Sequence, residues 1–217
     1  MPDFATRRNM MVDNQIRPSD VTKFPIIDAM LTVPREAFVP AARREAAYVG
    51  ENIDLGGGRV ILDPRTIAKM LDAANVQPDE MVLDIGCAHG YSSALLARLA
   101  ETVIAVEEDP AMARDATGNL SEAGIDNVAV VEGPLVEGAA RHGPYDVILL
   151  QGAVQHLPEA LLAQLGEGGR IVCLFQEGAV GTCRVGHCVD GAVSWRSVFN
   201  AAAPVLPGFA RAPAFQF

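Results

Sequence analysis

Val82-Leu83-Asp84-Ile85-Gly86-Cys87-Ala88-His89-Gly90-Tyr91 is the stretch that decides how this chain reads. Residues 82–85 form an apolar run ending in the region of a single carboxylate, the pattern of a buried strand. Gly86 and Gly90 frame a tight turn. Residues 92–100 follow as an amphipathic helix with Leu95, Leu96 and Leu99 on one face. Strand, glycine turn and helix together open a nucleotide-binding α/β unit. A dinucleotide site asks for G-x-G-x-x-G, which lets the backbone crowd a pyrophosphate. The spacing here is D-x-G-x-x-x-G with alanine at position 88, which points away from a pyrophosphate ligand.

The next strand adds a second group. Residues 102–106 (TVIAV) are apolar and lead into Glu107-Glu108. Glu107 lies 21 residues beyond Gly86. A carboxylate about 20 residues past such a turn can accept hydrogen bonds from both hydroxyls of a ribose. Glu108 and Asp109 read as surface acids, and Glu108 stays in the candidate set as the neighbour of Glu107.

Alternation then continues along the chain: strand 81–85, helix 91–100, strand 102–106, helix 110–123, strand 127–131, strand 145–150, helix 158–165, strand 169–175. This pattern predicts a doubly wound, mostly parallel sheet with helices on both faces. Ahead of it, residues 1 to about 50 are helical in pattern. Asp20 or Thr22 is the expected cap of a helix through Ile26, Ile27, Met30 and Leu31 that stops before Pro34. Residues 51–64 read as a loop around Gly56-Gly57-Gly58, and 65–74 as a helix. From 181 onward the chain reads as antiparallel strands, with Gly191 in a hairpin turn. The expected organisation is one unit over 1–217. It comprises a helical and loop extension (1–64), a cofactor-binding core (65–180) and C-terminal strands (181–217). Ligands of such a sheet lie at the carboxyl ends of its strands. The candidates there are residues 84–90, Glu107, 132–135 and 151–156. His156, just ahead of Pro158, reads as a surface or capping histidine. His89 reads equally as part of the ligand's mouth or as solvent-facing.

Composition narrows the class. The chain has 217 residues, half of them hydrophobic, enough for a sizeable core. No apolar run approaches the roughly 20 residues of a membrane span, and residues 1–18 lack the apolar core of a signal peptide. A cytoplasmic protein is the expectation. Four cysteines are too few and too irregular for a disulfide scaffold. Cys183, His187 and Cys188 lack zinc spacing, so free buried thiols and no metal are expected. The net charge of −10 argues against a nucleic-acid partner.

The D-x-G-x-x-x-G turn resembles the first motif of S-adenosylmethionine-dependent methyltransferases. A more specific resemblance surrounds it. Arg8-Asn9-Met10-Met11-Val12, Ile27-Asp28-Ala29-Met30, Val33-Pro34-Arg35-Glu36-Ala37-Phe38-Val39-Pro40 and Ala47-Tyr48 occur in the order of the protein-L-isoaspartate O-methyltransferase family. Pro144-Tyr145-Asp146-Val147-Ile148, Leu157-Pro158 and Leu165-Gly166-Glu167-Gly168-Gly169-Arg170 also resemble it. The likeness runs from about residue 8 to 176. It implies methyl transfer from S-adenosylmethionine to the carboxylate of isoaspartyl residues in damaged proteins or peptides, with no nucleic acid or membrane involved. It also implies cofactor contacts from Asp84, Gly86, Cys87, Ala88, Gly90, Glu107, Glu108, Gly133, Pro134 and Gln151.

Two positions depart from the family pattern. The family carries Ile-Ser-x-Pro before its first core helix, and here the stretch is Ile61-Leu62-Asp63-Pro64. Leu62 stands at the serine position of the reacting centre and offers no hydrogen bond. Asp63 would repel a substrate carboxylate if it pointed inward. Leu62 and Asp63 are thus the catalytic positions that the resemblance implies. Gly133-Pro134-Leu135 stands where the family has Gly-Asp-Gly, and Pro134 lacks both the carboxylate and a backbone donor. Cys87-Ala88-His89 replaces a favoured Thr-Gly-Ser. Two alternatives stay open: a family member with a changed acceptor, and a non-catalytic S-adenosylmethionine-binding protein.

Overall fold

The computed structural model describes residues 2–178 and 180–211, so residues 212–217 of the expected C-terminal section lie outside it. A small hairpin of β1 (Ile53–Gly56) and β2 (Arg59–Ile61) stands apart from the main sheet. That sheet has seven strands: β3 (Met81–Ile85), β4 (Thr102–Glu107), β5 (Val128–Glu132), β6 (Tyr145–Val154), β7 (Leu165–Glu177), β8 (Val180–Val189) and β9 (Ala192–Asn200). Their spatial order is β5-β4-β3-β6-β7-β8-β9. The five strands from β5 to β7 in that order are parallel, and β8 and β9 are antiparallel additions. The expected Asp190-Gly191 turn joins the last two.

The chain runs β3 to β4 to β5 in one direction, then returns to place β6 on the other side of β3. Connections therefore diverge between β3 and β6, where a doubly wound sheet opens its ligand crevice. The central strands earn their place by composition. Val103 to Val106 and Val147 to Leu150 are near-continuous buried runs, as strands covered on both faces require. Alternate residues of β3 serve opposite faces: Val82 joins one core cluster, and Leu83 and Ile85 join the other.

The first cluster is built largely from the N-terminal region. It contains α1 (Phe4–Met11), a π-helical turn (Val12–Ile16) and α2 (Phe24–Thr32). The motif residues Arg8, Glu36 and Tyr48 meet here. The Arg8 Nε–H donates to the Tyr48 hydroxyl at 2.9 Å, Arg8 Nη2 lies 3.0 Å from Glu36, and the Tyr48 hydroxyl donates to Glu36. Burial, with the Glu36 carboxylate beside it, pushes the Tyr48 phenol up.

Several boundaries differ from the sequence reading. Neither Asp20 nor Thr22 caps α2. Lys23 holds the cap position without a side-chain capping bond, Asp20 takes a left-handed φ of 65°, and Pro25 sets the first turn. The stretch read as a loop folds into the β1–β2 hairpin because Gly57 and Gly58 supply the positive φ that its turn needs. The helix expected over 91–100 is α4 (Tyr91–Leu96), followed by turns. The one expected over 158–165 shortens to α6 (Glu159–Leu162). Residues 166–169 loop out of β7, whose pairing with β6 jumps from Leu165 to Arg170. The helices α3 (Pro64–Ala74) and α5 (Pro110–Glu122) lie where the sequence placed them.

Candidate active site

The turn after β3 is held by backbone bonds to β4 and within itself, and by the Glu107 carboxylate, which accepts from the Ala88 amide. The Gly86 and Cys87 amides both donate to the Val106 carbonyl, at 2.8 and 3.3 Å, and the Gly90 amide donates to the Cys87 carbonyl at 2.8 Å. Gly86, at φ +77°, uses a conformation that side chains disfavour. Ala88 adopts φ +50° as well, without glycine's freedom. Its carbon skeleton therefore carries local strain.

Asp84 is fully buried under this turn. Its carboxylate accepts the Ser92 and Ser93 hydroxyls, each at 2.6 Å, and the Gln151 amide at 2.7 Å. It was expected as a cofactor contact. Its oxygens instead tie β3 to the start of α4 and to the end of β6. Burial pushes the Asp84 carboxyl up, and the three donors only partly offset this. Gln151 reaches Asp84 because β6 bulges there: Leu149 pairs with Val172 and Ala153 with Leu174, leaving residues 150–152 against one. Cys87 is a neutral thiol. Burial, with Asp84 and Glu107 nearby, raises it well above its usual value, which removes it as a nucleophile. The other three cysteines are also buried and free, as expected.

Glu107 stands at the carboxyl end of β4, as the spacing predicts, but its oxygens are not free. Arg59 of β2 grips it with both terminal nitrogens, at 2.6 and 2.7 Å. The Ala88 amide donates to the same carboxylate at 2.8 Å, Glu108 at 3.0 Å and Asp109 at 3.1 Å. Both partners are withdrawn from solvent, Glu107 at 0% and Arg59 at 4% exposure. Burial alone would raise the Glu107 carboxyl; the Arg59 guanidinium overcomes it and holds the carboxyl below its ordinary range. Sequence reading missed Arg59. Its partner lies 48 residues away, and an arginine in a glycine-rich stretch carries no signal of what it will reach.

A narrow cavity lies between the hairpin and the turn, lined by Val60, Leu62, Gly86, Ala88, Tyr91 and Gln151 among others. It holds about 10 Å³, room for roughly one water molecule. The crevice is filled from two sides. A β-carbon added to Gly86 would come within 3.1 Å of Arg59 Nη2 and 3.3 Å of Leu206. Leu206 belongs to a strap that crosses the carboxyl end of β6. Its amide donates to the Ala153 carbonyl at 2.8 Å, and the Ala153 amide donates to the Pro204 carbonyl at 2.9 Å. Gly152 admits the strap, since a β-carbon there would meet Leu206 at 2.7 Å. Nothing in the C-terminal sequence marks this segment as part of the site.

Leu62 lines the cavity and is 3% exposed. Its carbonyl accepts from Arg35 at 2.8 Å, and Arg35 also donates to the Ala47 carbonyl at 2.6 Å and lies 4.7 Å over the Tyr91 ring. Arg35 is completely buried with no carboxylate paired to it among the described residues. The arginine of the Val-Pro-Arg-Glu motif therefore fixes the backbone at Leu62. Asp63 caps α3 by accepting from the Thr66 amide at 2.9 Å, so this carboxylate is committed to the helix. Gly133 and Pro134 share an open depression with Glu108, Asp109 and Glu132. Asp109 caps α5. His89 faces Asp115 at 3.3 Å, and His156 Nδ1 lies 3.1 Å from the Phe209 carbonyl; neither lines the cavity. Among the described residues no cluster suits a metal ion, and no helix is long and apolar enough to cross a membrane.

The backbone frame fits a nucleoside with an amino-acid tail: a glycine turn, a strand-end acid and a crevice at the switch point. A ligand of that size asks for about 300 Å³ or more. The side chains of Arg59 and Leu206 stand in that space, so the frame fits and the cleft is shut. Known proteins share the frame. A solved protein-L-isoaspartate O-methyltransferase superposes with a TM-score of 0.82 at 24% identity, covering 93% of this chain and 66% of that one. A Plasmodium falciparum protein assigned as a beta-aspartate methyltransferase, in complex with S-adenosyl-L-homocysteine, superposes at 0.79 with 18% identity, covering 95% and 99%. In sequence, the protein-L-isoaspartate O-methyltransferase of Koribacter versatilis (strain Ellin345) is 39% identical over 169 residues, 78% of this chain and 76% of that protein. The family model for protein-L-isoaspartate(D-aspartate) O-methyltransferase matches residues 6–194, and the chain belongs to that family.

Proposed function

We propose that the chain methylates the carboxylate of L-isoaspartyl residues in damaged proteins, using S-adenosylmethionine. The observation that carries this reading is the family match over residues 6–194, which spans the glycine turn, Glu107 and the motif around Arg35. In this reading the whole chain, 1–217, works as one methyltransferase unit in the cytoplasm, on protein or peptide rather than nucleic acid.

S-adenosylmethionine supplies a methyl carbon on a sulfonium, at which a carboxylate oxygen forms the new C–O bond as the C–S bond breaks. A carboxylate is an adequate nucleophile at neutral pH, so the protein needs no strong base. Its work is alignment and exclusion of water. The turn from Gly86 through Gly90, with Cys87 and Ala88, would carry the cofactor's tail; Glu107 the ribose; and Glu108, Gly133 and Pro134 the rim at the base. Asp84 and Gln151 act beneath the turn by fixing its position. Leu62 stands at the acceptor end, its main chain held by Arg35.

Leu62 favours a second reading, a member whose acceptor is more apolar than isoaspartate. Labelled-methyl assays with an isoaspartyl peptide and its aspartyl twin separate the two. Transfer to the isoaspartyl peptide alone supports repair activity; transfer to neither, with cofactor binding intact, favours a changed acceptor. A serine hydroxyl restored by Leu62→Ser would orient the carboxylate. One such bond to a charged group contributes about 1.5–3 kcal/mol, so the isoaspartyl rate should rise by about one to two powers of ten.

A further inference from the structure

We propose that Arg59 is an internal occupant of the ribose subsite, and that its guanidinium must leave Glu107 before a nucleoside can bind. The inference rests on the cofactor reading above and deepens it. Glu107 accepts five hydrogen bonds: two from Arg59 and three from the amides of Ala88, Glu108 and Asp109. A carboxylate offers about four lone-pair sites. The three amides belong to the turn and to the start of α5, so they are fixed by the fold. Only the two arginine bonds can be exchanged for the two hydroxyls of a ribose. Arg59 also takes the volume. Its Nη2 lies 3.1 Å from where a Gly86 β-carbon would be, directly over the glycine that lets a ligand approach the backbone.

The device is built to move. Arg59 Nε has no hydrogen-bond partner, so the side chain is held at its tip alone. It sits on β2, a three-residue strand of a hairpin that pairs with no strand of the main sheet. The hairpin's Gly56-Gly57-Gly58 connection gives its backbone further freedom. Outward rotation of Arg59 would open the Glu107 carboxylate and the crevice together. Leu206, fixed by a backbone bond to the end of β6, would stay.

The test is calorimetric titration of S-adenosyl-L-homocysteine into the natural protein, Arg59→Gln and Arg59→Met, with circular dichroism to check each fold. Both replacements are shorter than Arg and neutral; Gln keeps a polar tip that can still hydrogen-bond, and Met does not. The proposal expects both variants to bind at least tenfold more tightly than the natural chain. Adenosine and 2′,3′-dideoxyadenosine form the second arm, and the gain should be clearly larger with adenosine than without the diol. Equal or weaker binding by both folded variants overturns the proposal and leaves the cofactor reading standing. An equal gain with the dideoxy compound also overturns it, since competition would then not be for the ribose. Binding by the variants alone supports it most strongly. No binding by any of the three at millimolar ligand overturns the cofactor reading itself. If Arg59→Gln fails to fold, Arg59→Met carries the same outcomes.

Discussion

The two walls of the crevice are made differently. The floor, residues 84–90 with Glu107, is backbone held by backbone and by the buried Asp84 and Glu107 carboxylates. Asp84 spends its oxygens on Ser92, Ser93 and Gln151, and the turn's amides close on Val106 and Glu107. The roof, Arg59 and Leu206, is side chain laid into space that the floor leaves open. A site can thus keep its frame while its contents change, because the frame is fixed by hydrogen bonds that do not involve the occupant.

The largest way to break that contrast is to remove the floor's anchor. Asp84→Ala leaves two hydroxyls and an amide without their acceptor inside a closed core, and should cost about 3–5 kcal/mol in a urea melt. A loss below about 1 kcal/mol would mean that the turn holds itself without the carboxylate. Removing the roof should be milder. Leu206→Ala deletes a 2%-exposed side chain and should cost about 2–4 kcal/mol. The comparison sharpens if this variant also takes up S-adenosyl-L-homocysteine more readily while Asp84→Ala does not.

Arg59 and Glu107 join the two walls, and pH reads their pair. The folded Glu107 carboxyl lies below its ordinary value of 4.5 despite burial, because Arg59 stabilises the charged form. Its contribution is therefore present above about pH 4.5 and lost as pH falls through the depressed folded value. Arg59→Gln should be less stable than the natural chain by roughly 2 kcal/mol at pH 7, with the gap closing in acid melts below pH 4. A gap independent of pH would assign the loss to packing instead. The smallest effect concerns Ala88, whose φ of +50° suits glycine. Ala88→Gly should raise stability by about 0.5 kcal/mol, the relief of left-handed strain less the added chain entropy. Thermal melts that fall instead would show that the methyl group packs usefully.

Much of this was legible beforehand. The apolar runs at 82–85, 102–106 and 145–150 became β3, β4 and β6, and the spacing from Gly86 to Glu107 placed an acid beside the turn. The β1–β2 hairpin was not legible, because β2 has three residues and its partner mixes Asp and Gly with apolar positions. Helix ends were also missed where tertiary pairing overrode pattern, as at Leu165, which joins β7 instead of closing a helix.

The sequence by itself determined the parallel sheet, the crevice at its switch point and the family, because these follow from periodicity, glycine spacing and motif order. Only the tertiary structure decided what the polar groups do. Asp84, Asp63 and Glu107 look alike as strand-end or loop acids, yet one anchors a turn, one caps a helix and one is clasped by an arginine. A carboxylate's role depends on which donors reach it, and here those donors come from 1 to 67 residues away. Local pattern records such distances nowhere; folding sets them.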